Sequence, residues 1–384
     1  MAVPNIDHRW PEYRDSLIDS IMDAAENLEG RKYRDEFERR FAQLNSAKHA
    51  IACANGTVAI ELILRGLEIG RGDEVILPPY TFIASISAIV FAGATPVFAD
   101  IHPETYCITA KSVESVITSK TKAILAVQLG GRPCDMEELS KVAEKHGIYL
   151  ISDAAQAVAG VYRGKGIGSY GIAASFSFQN SKNLTSGEGG AITTNCDKLN
   201  EKIRGMLSFK EGHIGIDDNL SEIQAAVLLG GLDLIPEQLK KRTKNAKYLA
   251  KLLEPIPYVS AMPLVEENDT HARHLFFIRI HEDKLGGITR DEFTAAMLKK
   301  GVPLVTGYFP LYDFPCLTNN YVTKSLGNTI NCKPETPVCE YISRHEASWL
   351  SPTAMLCEKD AMEYIAKAAC EVYEELSKSK GGAE

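Results

Sequence analysis

The sequence lacks the long apolar runs and basic blocks that mark membrane and nucleic-acid-binding proteins. No stretch of about 18 apolar residues occurs, and the polar N-terminus "MAVPNIDHRWPEYRDSL" has no apolar core of a signal peptide. The formal net charge is -8, and no cluster of Lys or Arg stands out, which disfavours binding to nucleic acid or anionic lipid. We therefore expect a cytoplasmic protein whose partners are small molecules, with no nucleic acid and no membrane among them.

Common metal and nucleotide motifs are also missing. The nine cysteines are scattered without a CxxC pair, and the nine histidines show no HExxH spacing, so we expect free or buried thiols and no metal site. Neither a Walker GxxxxGK[ST] sequence nor a GxGxxG fingerprint after a strand occurs, so nucleotide cofactors of those two classes lack support. The 384 residues, 45% hydrophobic and 24% charged, have ordinary globular composition, and their number suggests about two domains.

Short apolar segments alternate with helical patterns along the chain. The segments are "EVILP" at 74, "TPVFAD" at 95, "KAILAVQL" at 122, "IYLISDA" at 148, "IAASFSF" at 172 and "GAITTN" at 190. This alternation predicts an α/β fold with a mostly parallel sheet covered by helices on both faces.

A long helical stretch begins near residue 219 and is expected to break or kink at Pro236. We place the domain boundary within this stretch. The prediction is a large domain over residues 1–246 and a smaller C-terminal α+β domain over residues 247–384, with strands near 273 and 302 and helices near 290 and 359.

Two predicted strands end at residues that could carry chemistry. Asp153 ends "IYLISDAAQ", and Lys182 follows the next strand in "SFSFQNSKNLTSGEGGA". Taken alone, Asp153 could simply cap a helix and Lys182 could be a surface charge. However, the carboxyl ends of parallel strands face one crevice, and a desolvated lysine loses its proton readily and becomes an imine-forming nucleophile.

Two further segments could complete a ligand site. Gly56 and Thr57 begin an amphipathic helix in "CANGTVAIELILRGL", where free N–H groups and the helix dipole can bind a phosphate, although the same letters suit a turn or a cap. Tyr80 and Phe82 follow a strand in "PPYTFIAS" and could belong to the core or stack on a planar ring. Together these segments describe a planar aromatic ligand with a phosphate, a ring nitrogen and an aldehyde, which is pyridoxal 5'-phosphate.

At this point the residues closely resemble the DegT/StrS-type (DegT/DnrJ/StrS) aminotransferases, which are fold-type I pyridoxal phosphate enzymes that aminate keto sugars and cyclitols. The resemblance covers nearly the whole chain, from "NGTVAIELIL" through "GDEVILPPYTFIAS", "GGRPCDMEEL" and "ISDAAQAVAG" to "DDNLSEIQAAVL". It implies the following roles for individual residues: Lys182 forms the Schiff base, Asp153 pairs with the ring nitrogen, Gln156 bonds the phenolic oxygen, Phe82 stacks on the ring, and Gly56, Thr57 and Ser177 hold the phosphate. It also implies that Asn219 reaches the phosphate of the neighbouring subunit, and therefore a homodimer with shared active sites.

Two positions separate branches of this family. Relatives that use the cofactor for sugar deoxygenation carry histidine in place of the lysine, so Lys182 implies aminotransfer. Gln179, in "SFSFQNSK", resembles the cyclitol (scyllo-inosose) aminotransferases and the 3-amino-5-hydroxybenzoate synthases more than the nucleotide-sugar enzymes.

The expected reaction is transfer of an amino group from glutamate or glutamine to a keto sugar or keto cyclitol, in biosynthesis of an antibiotic, a cell-surface polysaccharide or an amino sugar. Three alternatives stay open. They are a 3-amino-5-hydroxybenzoate synthase-like dehydratase and aromatising enzyme, a nucleotide-diphosphate keto-sugar aminotransferase, and a non-catalytic cofactor-binding regulator.

Four residues outside the main motifs have open roles. Arg273 and His274 could touch the donor carboxylate or solvate the edge of a strand. Tyr308 could reach the acceptor or pack in a loop, and the role of Trp349 is open.

Overall fold

A computed structural model describes residues 4–6, 10–210, 212, 214–318, 330 and 334–381. The strands are β1 (His49–Cys53), β2 (Glu74–Leu77), β3 (Thr95–Phe98), β4 (Thr121–Val127), β5 (Tyr149–Asp153), β6 (Val161–Tyr162), β7 (Lys165–Gly166), β8 (Ala173–Ser177), β9 (Gly190–Thr194), β10 (Val259–Ala261), β11 (Phe276–Ile280), β12 (Val305–Thr306) and β13 (Ala347–Leu350). The α-helices are α1 (Leu17–Glu26), α2 (Lys32–Leu44), α3 (Gly56–Gly66), α4 (Ala84–Phe91), α5 (Ala110–Glu114), α6 (Met136–His146), α7 (Asp197–Leu207), α8 (Glu222–Leu232), α9 (Ile235–Leu253), α10 (Arg290–Lys299), α11 (Pro315–Thr318), α12 (Pro337–Tyr341) and α13 (Lys359–Gly381).

The large sheet has seven strands in the order β1-β9-β8-β5-β4-β2-β3. The pairs β3/β2, β2/β4, β4/β5 and β5/β8 are parallel, whereas β9 runs antiparallel to both β8 and β1. The mostly parallel sheet predicted from the sequence is therefore confirmed. Because β1 is reversed twice relative to β8, the two strands run in the same direction, and β1, β4, β5 and β8 all end at one edge.

Both faces of this sheet are buried, as the continuous apolar segments predicted. Successive residues of β4 alternate between two hydrophobic cores, with Ile124 and Ala126 in one and Ala123 and Leu125 in the other. Strand side chains point alternately to opposite faces, so a strand covered on both faces favours apolar residues at successive positions rather than at every second one.

The helix signals in the sequence are also confirmed. Helix α6 begins after Asp135, whose carboxylate accepts a hydrogen bond from the Glu138 N–H at 3.1 Å, and it ends at Gly147, which has a φ of 64°. The predicted break near Pro236 lies between α8 and α9, and Pro236 occupies the first turn of α9, where its missing N–H is tolerated. Helix α9 continues across residue 247 to Leu253, so the division into residues 1–246 and 247–384 stays a prediction.

The C-terminal part contains a four-stranded antiparallel sheet in the order β10-β11-β13-β12, and α9, α10 and α13 pack against it around a separate core. The strand predicted near 302 is reduced to Val305–Thr306. Pro303 precedes it and has no N–H to offer a sheet.

The cysteines and the longest helices of the described residues are two further features of the fold. The described cysteines are free thiols, while Cys332 lies outside them. In the same part of the chain, no helix is both long and apolar enough to span a lipid bilayer.

Candidate functional site

A cavity of about 660 Å³ opens at the edge where β1, β4, β5 and β8 end. Seven of the eight predicted site residues line it: Gly56, Thr57, Phe82, Asp153, Gln156, Ser177 and Lys182. They come from separate segments of the chain, and the shared direction of the strands brings them together.

Asp153 is the last residue of β5 and is buried. Its Oδ2 accepts a hydrogen bond from the Ser85 hydroxyl at 2.7 Å, and its Oδ1 accepts one from the Ala155 N–H at 3.2 Å. Burial raises the pKa of the Asp153 carboxyl above its usual value, while these two hydrogen bonds and the charge of Lys182 act in the opposite direction. Asp153 is thus a buried acid whose ionised form is stabilised by these neighbours.

Lys182 lies on the loop after β8, and its ammonium makes no hydrogen bond or ion pair with the residues that the structure describes. Burial lowers the pKa of Lys182, and the charge of Asp153 partly offsets this effect. The loop is fixed from both sides, because the Asn183 amide donates to the Ala272 carbonyl at 2.7 Å and the Thr185 hydroxyl donates to the Phe178 carbonyl at 2.9 Å. A fixed lysine with a lowered pKa is suited to act as a nucleophile or base.

The first turn of α3 forms one wall of the cavity. Asn55 caps this helix, and its Oδ1 accepts the Val58 N–H at 2.9 Å. Within the described residues this leaves the N–H groups of Gly56 and Thr57 for a ligand. A Cβ at Gly56 would lie 2.8 Å from the Cβ of Ser177, so glycine is needed for the helix start and the end of β8 to approach so closely.

Gln156 is held in a single orientation by its two neighbours. Its Oε1 accepts the Gly130 N–H at 2.6 Å, and its Nε2 donates to the Tyr308 hydroxyl at 3.0 Å. Burial, the main cause, raises the pKa of Tyr308 to about 12, so the tyrosine stays neutral at physiological pH. One N–H of the Gln156 amide is left to meet a ligand in the cavity.

The two aromatic residues after β2 take different positions. Tyr80 is fully buried and packs in the core, whereas Phe82 lines the cavity and is 54% exposed. The ring centroid of Phe82 lies 6.4 Å from that of Tyr308. Only Phe82 is therefore placed to meet a ligand in the cavity.

Asn219 is the predicted site residue that does not line this cavity. It is exposed, and its backbone pairs with Cys53 in an isolated β-bridge. Its side-chain Oδ1 accepts a hydrogen bond from Arg34 Nη1 at 3.2 Å, and its side-chain Nδ2 donates to the Leu207 carbonyl at 3.0 Å. It lines a different cavity together with Arg31 and Arg34. A single chain does not test its predicted contact with a neighbouring subunit.

The four residues with open roles differ in their position relative to the cavity. His274 lines the cavity, its Nδ1 is buried without a hydrogen-bond partner, and burial together with the charges of Lys182 and Arg242 keeps the pKa of its imidazole well below the usual value. Arg273 is buried with a left-handed φ of 58° and is not among the residues lining the cavity. Trp349 packs on Tyr308, with ring centroids 4.6 Å apart.

Ser85 and Gly130 hold predicted site residues in place and were not themselves predicted from the sequence. Ser85 bonds Asp153, and Gly130 bonds Gln156. Ser85 gave one usable signal, because it is a serine within the apolar helix "ASISAIVF". A buried hydroxyl in such a helix needs a partner.

The sequence profile of the DegT/DnrJ/EryC1/StrS aminotransferase family matches residues 12–342. GDP-perosamine synthase of Caulobacter vibrioides is 36% identical over 323 residues, which cover 82% of this chain and 85% of that protein. The dTDP-3-amino-3,6-dideoxy-alpha-D-galactopyranose transaminase of Aneurinibacillus thermoaerophilus is 42% identical over 255 residues, covering 65% and 70%. The crystal structure of 3-amino-5-hydroxybenzoic acid synthase superposes with a TM-score of 0.85 at 27% identity, covering 96% of this chain and 99% of that chain. This last match confirms the predicted fold class.

Proposed function

Because the chain belongs to the DegT/DnrJ/EryC1/StrS aminotransferase family, we propose that it transfers an amino group from glutamate or glutamine to the ketone of a sugar, using pyridoxal 5'-phosphate bound at Lys182. The observation that carries this proposal is the meeting of Lys182, Asp153 and the start of helix α3 in one cavity. The reaction belongs to the biosynthesis of an amino sugar.

The residues of the cavity fit this cofactor. Asp153 is buried without an ion-pair partner among the described residues, which suits a protonated ring nitrogen as its counterpart. The N–H groups of Gly56 and Thr57 and the Ser177 hydroxyl form a cradle for a phosphate, and a Cβ at position 56 would fill it. When bound, pyridoxal phosphate supplies the electron sink that allows an amino acid to lose its α-proton.

Each residue then has a defined task. Lys182 holds the cofactor through its amine and, once displaced by the donor, accepts the α-proton and returns it. Its lowered pKa favours the unprotonated form that both tasks require. Asp153 keeps the ring nitrogen protonated, Gln156 offers one amide N–H to the phenolic oxygen, and Phe82 covers one face of the ring.

A sugar acceptor is supported by the curated relatives, both of which are named for nucleotide-linked amino sugars. A cyclitol acceptor, which Gln179 favoured, stays a prediction. Gln179 lines the cavity, but its Oε1 accepts hydrogen bonds from the Ser181 N–H at 2.9 Å and the Ser181 hydroxyl at 2.7 Å. Its side chain is thus anchored within its own loop, which weakens its value as an indicator of the acceptor.

We also propose a cytoplasmic homodimer in which Asn219 reaches the phosphate in the partner's cavity. Phe82 and Phe91 line the cavity and are 54% and 61% exposed, and such exposed aromatic side chains suit a surface that a second chain covers. Sedimentation of the cofactor-loaded protein gives its mass, and a monomer at working concentration would contradict the dimer.

The proposed function is tested by incubating the protein with pyridoxal phosphate, removing the unbound cofactor by gel filtration, and recording the visible absorbance before and after borohydride. The wild type should show a borohydride-sensitive band, and Lys182→Ala should show none. Lys165→Ala removes an exposed lysine on β7 and should behave as the wild type. A band that persists in Lys182→Ala would contradict the assignment.

A second candidate is the dehydrating and aromatising reaction of an amino-hydroxybenzoate synthase. It is favoured by the superposition on 3-amino-5-hydroxybenzoic acid synthase over 96% of the chain. Product analysis separates the two reactions, since only the second converts the non-aromatic ring of the acceptor into an aromatic ring. A regulator without turnover would instead bind the cofactor and react with neither glutamate nor glutamine.

A further inference from the structure

The loop between β8 and β9 carries Lys182, and two side chains from the start of the chain bond to its backbone. The Trp10 indole N–H donates to the Asn180 carbonyl at 3.0 Å, two residues before Lys182. The Tyr13 hydroxyl donates to the Thr185 carbonyl at 2.9 Å, three residues after Lys182. The two hydrogen bonds therefore hold the loop on both sides of the lysine.

Residues 10–13, which we call the N-terminal strap, are anchored on helix α9. The Glu12 carboxylate accepts a hydrogen bond from the Gln238 amide at 3.2 Å. The Arg242 guanidinium, which is 1% exposed, lies 5.3 Å from the centre of the Trp10 ring, within the range of a cation–π contact. Because both partners belong to one helix of 19 residues, the strap has a rigid support behind it.

The position of the Lys182 amine depends on how firmly its backbone is held. A lysine side chain is a flexible stem of four carbons, so it adds its own freedom to any freedom of the loop. A reacting group that is misplaced by about 1 Å can lose a factor of about a hundred in rate. Restraints on the loop backbone beside Lys182 thus matter more for the reaction than equal restraints elsewhere.

We propose that Trp10 and Tyr13 are positioning residues that hold the loop so that the Lys182 amine meets the cofactor and the donor. This inference rests on the proposed function, because only the reaction of Lys182 requires its loop to be held in one place. Neither Trp10 nor Tyr13 is among the residues lining the cavity. Both therefore act through the backbone of the loop and not by contact with a ligand.

A role in folding alone fits these two residues less well. Neither belongs to a hydrophobic core of the described chain, and Tyr13 is 37% exposed. Side chains outside the core usually contribute little to stability. Each of the two nevertheless directs its polar atom at a carbonyl of the lysine loop, so replacing that atom tests the loop and leaves the fold intact.

The test compares the wild type with two strap variants and one control. Trp10→Phe removes the indole N–H and keeps an aromatic ring beside Arg242, and Tyr13→Phe removes only the hydroxyl. Tyr248→Phe is the matched control, because it removes a tyrosine hydroxyl that donates to Glu363 in helix α13 at 2.7 Å. Each strap variant acts on one end of the loop, so either of them alone tests the proposal.

The first measurement is amide hydrogen exchange, followed by mass spectrometry on the protein without cofactor. Within the loop, the Lys182 N–H donates to the Gln179 carbonyl at 2.9 Å and the Ser186 N–H donates to the Phe178 carbonyl at 3.1 Å. These amides exchange only when the loop opens. We expect the loop peptide to exchange about fivefold faster in both strap variants and at the wild-type rate in Tyr248→Phe.

The second measurement is the reaction of the cofactor-loaded protein with L-glutamate, followed by the loss of the visible band. We expect the maximal rate to fall about fivefold in each strap variant. The half-saturating glutamate concentration should stay unchanged, because the strap acts on the lysine and not on the binding of the donor. Tyr248→Phe should match the wild type in both quantities.

The outcomes separate this inference from the proposed function. A wild-type protein without a borohydride-sensitive band overturns the proposed function itself, and loop exchange without cofactor still decides whether the strap holds the loop. A wild type that reacts with glutamate, together with strap variants that exchange like Tyr248→Phe, overturns only the inference. Faster loop exchange with an unchanged maximal rate also overturns it, because the strap would then stabilise the loop without positioning Lys182.

Discussion

Replacing Ser85 by alanine tests how the buried acid of the site is kept ionised. Ser85→Ala removes the hydroxyl that donates to Asp153 Oδ2 at 2.7 Å and leaves the carboxyl buried. A hydrogen bond to a charged group contributes about 1.5–3 kcal/mol and one to a neutral group about 0.5–1.5 kcal/mol. The ionised form thus loses about 1–1.5 kcal/mol more than the neutral form, which raises the pKa of Asp153 further.

The sign of the pH dependence follows from that shift. Burial already raises the folded-state pKa of Asp153 above its unfolded value, so its favourable contribution is present at acidic pH and is lost as the pH rises through the folded pKa. Because Ser85→Ala raises the folded-state pKa of Asp153 further, the favourable contribution is lost over a range that reaches higher pH. The variant should therefore be destabilised by about 1.5–3 kcal/mol near neutral pH and by less once Asp153 is protonated in both proteins.

The assay is urea unfolding at a series of pH values. The second readout is the acid limb of the pH–rate profile for the reaction of the cofactor-loaded protein with glutamate. Ser87→Ala is the matched control, because Ser87 lies in the same helix and donates to the Ile83 carbonyl at 3.0 Å rather than to a carboxylate. We expect the acid limb to move to higher pH in Ser85→Ala only. Identical pH profiles for the two variants would refute the view that Ser85 supports the ionised acid.

Two further substitutions test the walls of the cavity. Gly56→Ala should weaken cofactor binding measured by absorbance titration, because the new Cβ would lie 2.8 Å from the Ser177 Cβ and overpacking costs about 1–3 kcal/mol. The matched change Gly66→Ala meets the side chains of Leu199 at 2.7 Å and Ile203 at 3.2 Å, neither of which lines the cavity, and should leave binding intact. Tyr308→Phe removes the hydroxyl that accepts from the Gln156 amide. The loss of this hydrogen bond, about 1 kcal/mol, should lower the transamination rate about fivefold. Tyr312→Phe removes a hydroxyl that bonds Thr336 instead and should leave the rate unchanged. Cofactor affinity unchanged in Gly56→Ala, or equal rates for the two tyrosine variants, would contradict these assignments.

The parts of the fold that were predicted are those whose physics is local. The strands of the parallel sheet are mainly apolar because both faces are buried, and this pattern is visible in the sequence. Strand β13 (Ala347–Leu350) was not predicted, since it gains its hydrogen bonds from β11 and β12, which are distant in sequence. The antiparallel direction of β9 was likewise not predicted, because direction depends on the path of the connecting loop.

The same limit separates the site residues that were predicted from those that were missed. Asp153 and Lys182 follow apolar strands, and Gly56 opens a helix, so each has a local signal. Ser85 and Asp153 are 68 positions apart, and nothing in the spacing of the two residues indicates their hydrogen bond. His274 was recognised as a candidate, but its unpartnered nitrogen is a property of the packed cavity alone.

The turn at Gly130 and Gly131 connects two residues that line the cavity, Gln156 and His274. The Gly130 N–H bonds the Gln156 side chain, and the Gly130 carbonyl accepts the backbone N–H of His274 at 2.9 Å. Both glycines have positive φ, and a Cβ at Gly130 would lie 2.6 Å from the Phe277 ring, so other residues would be strained there. Since the Gly130 N–H holds the Gln156 side chain and the Gly130 carbonyl holds the backbone of His274, a shift of this turn would move both of these cavity residues together.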